Sequence, residues 1–309
     1  MRLSIISPVY KAYNIIDELI MRIINSVEPI TPDYEIILVD DACPENSWEK
    51  IELLAKNNSK IKGIKLSRNF GQHYAITAGL DHAIGDWVVV MDCDLQDQPE
   101  EINKLYNKAL EGFDIVLAQR NNRKDTILKR TYSKLFYRTL GYLTGSDQDE
   151  AIANFGIYSM KAVDEIVKMR ESIRYFPTMV KWVGFKTAKV PVEHADRKEG
   201  KSSYNFKRML NLALDIILAF SDKPLRLTIK LGFYISIIAI LMALYTLLKW
   251  MSGGIVVIGY ASLITSIWFL SGCILITLGV VGLYVGKTFE GVKKRPLYII
   301  EKKINNDDI

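Results

Sequence analysis

The residues best suited to chemistry sit together in Val88-Val89-Val90-Met91-Asp92-Cys93-Asp94-Leu95-Gln96-Asp97. An apolar, β-branched run stops abruptly at carboxylates two positions apart. That pattern reads as a buried strand delivering an acidic cluster to its C-terminal end. Open α/β sheets place their ligands at that end. Hard divalent cations take oxygen ligands, and Mg²⁺ typically shares one or two carboxylates with substrate phosphates. The chemistry on offer is a metal–diphosphate site. An Asp-rich turn has the same local composition, so the neighbouring elements have to decide between the two.

Those elements alternate. Leu3 to Val9 predicts a strand closed by Pro8-Val9-Tyr10, and a helical pattern follows from about Asn14 until Pro29. Glu35 to Val39 predicts a second strand ending in Asp40-Asp41, and Asn46-Ser47 is expected to cap the next helix. Ile61 to Leu66 is a third strand, followed by Ser67-Arg68-Asn69-Phe70-Gly71-Gln72-His73 and a helix from about Tyr74 to Ala83. Pro99 opens a helix, and Ile115 to Ala118, Asn154 to Met160 and Thr187 to Val192 read as extended. Alternation of this kind predicts a parallel, helix-covered sheet. Three of its strands end in ligand-competent residues: Tyr10, Asp40-Asp41, and Asp92 with Asp94. That coincidence favours a site over a turn.

The 309 residues are 49% hydrophobic, unevenly spread. No charged residue lies between Lys249 and Lys287, which places the C-terminal third in a membrane. Two spans are expected, from about Leu227 to Lys249 and from about Val256 to Val285. Lys223, Arg226 and Lys230 precede them, and Lys287, Lys293, Lys294 and Arg295 follow. The positive-inside rule then puts both ends in the cytoplasm. The opening residues are too short and strand-like for a signal peptide. Cys43, Cys93 and Cys273 are scattered, and imply neither a disulfide framework nor zinc. Between Arg120 and Arg138 lie Arg123, Lys124, Lys129, Arg130 and Lys134, opposed only by Asp125. With Tyr132, Leu135, Phe136 and Leu140 interleaved, this segment reads as a basic amphipathic helix suited to lipid head groups or phosphate. A solvated face is the plain alternative. A membrane segment downstream argues against nucleic acid as a partner. The expected organisation is a cytoplasmic domain over residues 1–204, an interfacial amphipathic helix over 205–224, a two-helix anchor over 225–288 and a tail over 289–309.

On these residues the chain resembles the glycosyltransferase family 2 enzymes that load a sugar onto a polyprenyl phosphate. That group includes dolichol-phosphate mannose synthase and undecaprenyl-phosphate 4-deoxy-4-formamido-L-arabinose transferase. The resemblance is carried by Ser7-Pro8-Val9-Tyr10, Val39-Asp40-Asp41, Arg68 to His73, Met91 to Asp97, Gly200-Lys201-Ser202-Ser203-Tyr204, and Gly282 to Lys287 with Arg295-Pro296. It implies a GT-A (Rossmann-like) α/β domain and an inverting reaction on the cytoplasmic face of the inner membrane. It also implies Mg²⁺ or Mn²⁺, a nucleotide-diphospho-sugar donor, a polyprenyl (undecaprenyl) phosphate acceptor, contact with membrane lipids, and in some bacterial members a homotetramer. By the same resemblance, Pro8, Tyr10 and Asp40 would hold the base and ribose. Asp92, Asp94 and Gln96 would bind the metal, with Asp94, Arg120 and Arg130 serving catalysis at the phosphates. Asp41, Arg68, Gln72, Asn154, Arg197, Lys201 and Ser202 would be further substrate contacts. Two positions depart from the family pattern. Lys11-Ala12-Tyr13-Asn14 replaces an Asn-Glu-Glu run, and Asn154 stands where many members carry Asp.

Asn154 cannot take a proton, but this acceptor does not require it to. A hydroxyl nucleophile needs a base. A phosphate monoester, with a second pKa of about 6, is already mostly dianionic at neutral pH. Two other readings stay open. One is a membrane transferase acting on a hydroxyl. Processive synthases of that kind usually carry Gln-x-x-Arg-Trp, whereas this chain has Thr178-Met179-Val180-Lys181-Trp182. The other is a non-catalytic membrane subunit that binds a sugar nucleotide.

Overall fold

The computed structural model describes residues 1–120, 141, 152–171, 173–193, 195, 217, 221–252 and 259–306. The basic segment beyond Arg120, the late loop from Asp196 to Tyr204, and all of the interfacial helix from Phe206 to Phe220 except Ile217 lie outside the described residues. The chain forms two compact units. One comprises residues 1–137, 148–205 and 295–309, and the other residues 138–147 and 206–294.

The first unit is built on one sheet. In chain order its elements are β1 (Leu3–Val9), α1 (Ile16–Val27), β2 (Tyr34–Asp40), α2 (Ser47–Asn57), β3 (Ile61–Leu66), α3 (Gln72–Leu80) and β4 (Trp87–Val90). A 3₁₀ turn at Pro99–Glu101 leads into α4 (Ile102–Leu110) and β5 (Ile115–Arg120). Then come β6 (Ile152–Ser159), α5 (Met160–Lys168), α6 (Phe176–Trp182) and β7 (Thr187–Val192), with β8 (Ile300–Ile304) at the end of the chain. The strand order is β7-β5-β6-β4-β1-β2-β3-β8. All seven residues of β1 and of β2 are buried, as expected of strands covered on both faces. On α1, Ile16, Leu19, Ile20, Ile23 and Val27 supply one buried stripe against that sheet. Each such buried side chain contributes on the order of 2 kcal/mol.

Three expectations are corrected. The sheet is mixed, not parallel throughout: β6 runs antiparallel to both β4 and β5, and β8 antiparallel to β3. Hydrophobic periodicity reports burial and carries no sign for strand direction. From sequence the tail over 289–309 reads as frayed after Lys303, but fraying does not begin there. Ile304 belongs to β8, and Asn305 Nδ2 donates to the carbonyls of Ala55 (2.5 Å) and Ile61 (2.9 Å). Finally, Asn46 occupies the position before α2 but makes no side-chain cap, because its backbone turns left-handed there (φ 56°).

At the N-terminal end of the strands lies a buried polar network. Glu35 accepts from Ser4 Oγ (2.5 Å) and the Ile84 amide (2.9 Å) on one oxygen. The other oxygen accepts from Lys62 Nζ (2.8 Å) and Arg2 Nη2 (3.4 Å).

The second unit contains α7 (Lys223–Met251) and α8 (Tyr260–Val292). Pro224 falls in the first turn of α7, where its missing N–H costs nothing. Both helices are long and apolar enough to cross a membrane by length and composition. Phe233, Ile240, Leu241, Trp268, Leu275 and Phe289 are among many large apolar side chains that they expose. Such a surface calls for lipid or a protein partner.

Candidate active site

The parallel strands β1, β2, β3 and β4 deliver their C-terminal ends to one side of the sheet. Each chain turn there is sharp. Lys11 after β1 (φ 54°), Ala42 after β2 (φ 51°) and Leu95 after β4 (φ 58°) are left-handed, and Gly71 after β3 has φ 108°. A left-handed non-glycine costs about 1 kcal/mol, and such strain gathers at functional sites. The turns are tied to each other. The Asp41 amide donates to Val9 O (3.1 Å), joining the ends of β1 and β2. The Lys11 amide donates to Cys43 Sγ (3.0 Å), and the Cys43 amide donates to Asp40 Oδ1 (3.0 Å).

Pro8 is buried within β1, opposite Val39, past the point where β4 pairs. Its missing N–H therefore breaks no bond to β4. Tyr10, just beyond, is 43% exposed and available to stack on a ligand. Asp40 is buried, and burial pushes its carboxyl up to about 6, against the opposing pull of the Cys43 amide and Lys65. Asp41 does something the sequence did not disclose. Its two oxygens accept from the amides of Phe70 (2.7 Å) and Gly71 (2.9 Å), so it staples the Arg68–Gln72 loop to β2. Burial raises its pKa, and those two amides and Arg68 oppose the rise. Arg68 is exposed, its guanidinium 4.1 Å from the centre of the Phe70 ring.

Within the acidic cluster, Gln72 Nε2 donates to Asp92 Oδ1 (2.5 Å). The Gln96 amide donates to Asp94 Oδ1 (3.2 Å). Leu95 is buried, and its left-handed backbone separates Asp94 from Gln96. The ring of His73 sits edge-on to Tyr175 at 5.0 Å, and burial beside Arg174 lowers its pKa to about 4. His73 is thus a neutral packing residue. Burial pushes the Cys93 thiol up to about 12, so it stays protonated and packs against the core. Among the described residues no group of three or more His, Cys, Asp or Glu is arranged to hold a metal by itself. The Asp92/Asp94 pair is an oxygen donor set that fits a hard cation sharing its shell with a diphosphate.

The other strands bring further residues to this side. Continuing the β4–β6 register, in which Val90 faces Gly156, sets Asn154 at the level of Asp92. The backbone of Arg120 ends β5, level with Val192 of β7. Just past β7, the Ala195 amide donates to Gln96 O (3.0 Å), which ties the start of the late loop to the acidic cluster. That tether, the Asp41 staple and the Gln72–Asp92 bond had no sequence signal, since each joins groups remote in the chain. Arg130, Arg197, Lys201 and Ser202 lie outside the described residues.

A mixed α/β sheet with its polar residues gathered at parallel strand ends defines a GT-A-like fold. Glucosyl-3-phosphoglycerate synthase from Mycobacterium tuberculosis, solved with Mn²⁺, UDP and glucosyl-3-phosphoglycerate, shares it. The TM-score is 0.50 at 15% identity, covering 70% of this chain and 77% of that one. Residues 4–167 match the family described as Glycosyl transferase family 2. An uncharacterized glycosyltransferase of Synechocystis is 37% identical over 299 residues, 96% of this chain and 94% of that protein. The uncharacterized glycosyltransferase YkcC of Bacillus subtilis is 35% identical over 300 residues, 97% and 93% of the two chains. The chain belongs to glycosyl transferase family 2, and it is a glycosyltransferase.

Proposed function

We propose that this enzyme transfers a sugar from a nucleotide-diphospho-sugar to a polyprenyl phosphate at the cytoplasmic face of a membrane, with inversion. The observation that carries the reading is one chain holding both halves of such a reaction: a carboxylate pair at the strand ends, and two exposed apolar helices. The UDP and Mn²⁺ of the M. tuberculosis synthase support a nucleotide donor and a divalent ion here by analogy of fold.

In this reading Tyr10 and Asp40 bind the nucleoside end of the donor. Asp92 and Asp94, with Gln96 beside them, hold Mg²⁺ or Mn²⁺, which supplies Lewis-acid neutralisation of the departing diphosphate. Gln72 fixes the rotamer of Asp92. Asp41 holds the Arg68–Gln72 loop, and Arg68 and Arg120 supply positive charge near the phosphates. The acceptor phosphate arrives already ionised. The protein's remaining task is to align it behind the anomeric carbon, and alignment is worth several kcal/mol of barrier. Asn154, level with Asp92, serves as a polar contact and not as a base.

The test mixes purified full-length enzyme in detergent with a panel of nucleotide sugars and undecaprenyl phosphate, with and without EDTA, and reads the mass of the lipid product. One nucleotide sugar should yield glycosylated lipid phosphate only when the divalent ion is present. Transfer in EDTA would remove Asp92 and Asp94 from the metal role. Transfer only to hydroxyl acceptors would replace the polyprenyl-phosphate reading.

A further inference from the structure

The segment from Ser67 to Asp81 carries Arg68, Gly71, Gln72 and all of α3. Two consecutive residues near the C-terminus hold its two ends. At the start, the Ser67 amide donates to Ile299 O (2.9 Å). At the finish, Tyr298 Oη donates to Asp81 Oδ2 (2.7 Å). Arg170 completes the second anchor with paired bonds to Asp81, Nη1 to Oδ2 (2.9 Å) and Nη2 to Oδ1 (2.8 Å). Asp81 is largely buried while Arg170 is half exposed, so these charge-assisted bonds are only partly shielded from water. Between the anchors, Gly79 lets α3 lie directly on β1, where an added Cβ would overlap Ile6 Cγ2. The helix is therefore seated closely on β1, with its ends fixed by the two anchors. Its N-terminal residue is Gln72, which holds Asp92.

We infer that Tyr298 is a positioning residue for transfer: with Ile299 it clamps the Ser67–Asp81 segment, and so sets where Gln72 holds Asp92. The C-terminal segment is then part of the active-site scaffold and not a spare edge strand. This rests on the reading of the Arg68–Gln72 loop as active-site structure. It adds a reason for the chain to return to the sheet after its apolar helices.

The experiment uses full-length protein with Tyr298→Phe, which removes the hydroxyl and keeps the ring. A matched control is Asn305→Ala, which loosens the far end of the same segment at Ala55, Asn58 and Ile61. Tyr298→Phe should lower kcat/KM roughly five-fold, the loss expected from one hydrogen bond of about 1 kcal/mol. Hydrogen–deuterium exchange should quicken at the amides of Ser67, Phe70 and Gly71 and stay unchanged in β1. In a Gln72→Ala background the same substitution should add little, because both act through one contact. Asn305→Ala should lower the melting temperature yet leave kcat/KM within about two-fold.

Equal losses of kcat/KM in Tyr298→Phe and Asn305→Ala would overturn the inference, since the effect would then be general stability. So would unchanged exchange at Ser67 to Gly71, or full additivity with Gln72→Ala. Quickened exchange with full activity in both Tyr298→Phe and Gln72→Ala would also overturn it. That result would place the loop outside the site and leave the metal-dependence test of the overall reading untouched.

Discussion

The two ends of the central sheet treat a buried carboxylate in opposite ways. At the N-terminal end Glu35 is 1% exposed and accepts from four donors, two of them cationic. At the C-terminal end Asp40 is equally buried, yet its Oδ2 has no hydrogen-bond partner among the described residues. Burial wins there, and the carboxyl rises to about 6. A satisfied carboxylate serves the fold. An under-satisfied one, beside left-handed turns and a carboxylate pair, costs stability that a ligand can return. The contrast separates scaffold from site without reference to any relative.

Substitutions can break that contrast, and the largest effect should come from the site. Asp94→Ala should lower transfer by about 10²–10³-fold, with a melting temperature close to that of the parent. A matching loss of thermal stability would mean that Asp94 belongs to the scaffold instead. At the opposite end, Glu35→Ala should cost about 3 kcal/mol or more, because the largely buried Lys62 is left without its carboxylate. Its folded fraction should bind nucleotide normally, as a melt and a titration on the same sample would show.

Asp40→Asn should stabilise the ligand-free protein at pH 7.5 by up to about 3 kcal/mol, while weakening nucleotide binding. The sign follows from linkage. The native carboxyl lies near 6 against an ordinary 3.8, so the native state holds an extra proton between those values. Wild-type stability therefore falls as pH rises through about 4 to 6, and stays lower above that window. The gap between wild type and Asp40→Asn should close below about pH 4. A gap independent of pH would show that Asp40 is satisfied after all. The smallest effect is expected for Asn154→Ala, which should keep transfer within about five-fold, since a dianionic phosphate needs no base. A loss comparable with Asp94→Ala would overturn that reasoning.

Much of this molecule was legible from the chain. Burial leaves a periodic trace, so β1, β2 and β3 could be placed nearly residue by residue, whereas the two apolar helices could be located but not bounded, α8 running seven residues past the expected Val285. An acidic pair at the end of a β-branched run points to a candidate ligand end, because open α/β sheets present their strand ends there. The absence of charge between Lys249 and Lys287 is a statement about solvent that needs no fold. What the chain could not disclose depends on groups brought together from far apart. Strand direction is invisible to periodicity, so the antiparallel β6 and β8 emerge only from pairing. Asp40 and Asp41 are adjacent and identical in type, yet one holds a loop and the other keeps a free oxygen. Only the positions of Phe70, Gly71 and Cys43 assign those roles. Tyr298 shows the same limit at greater range: its hydroxyl bonds to Asp81, 217 positions away. Local sequence sets what each residue is able to do, and tertiary contact sets which of those capacities is used.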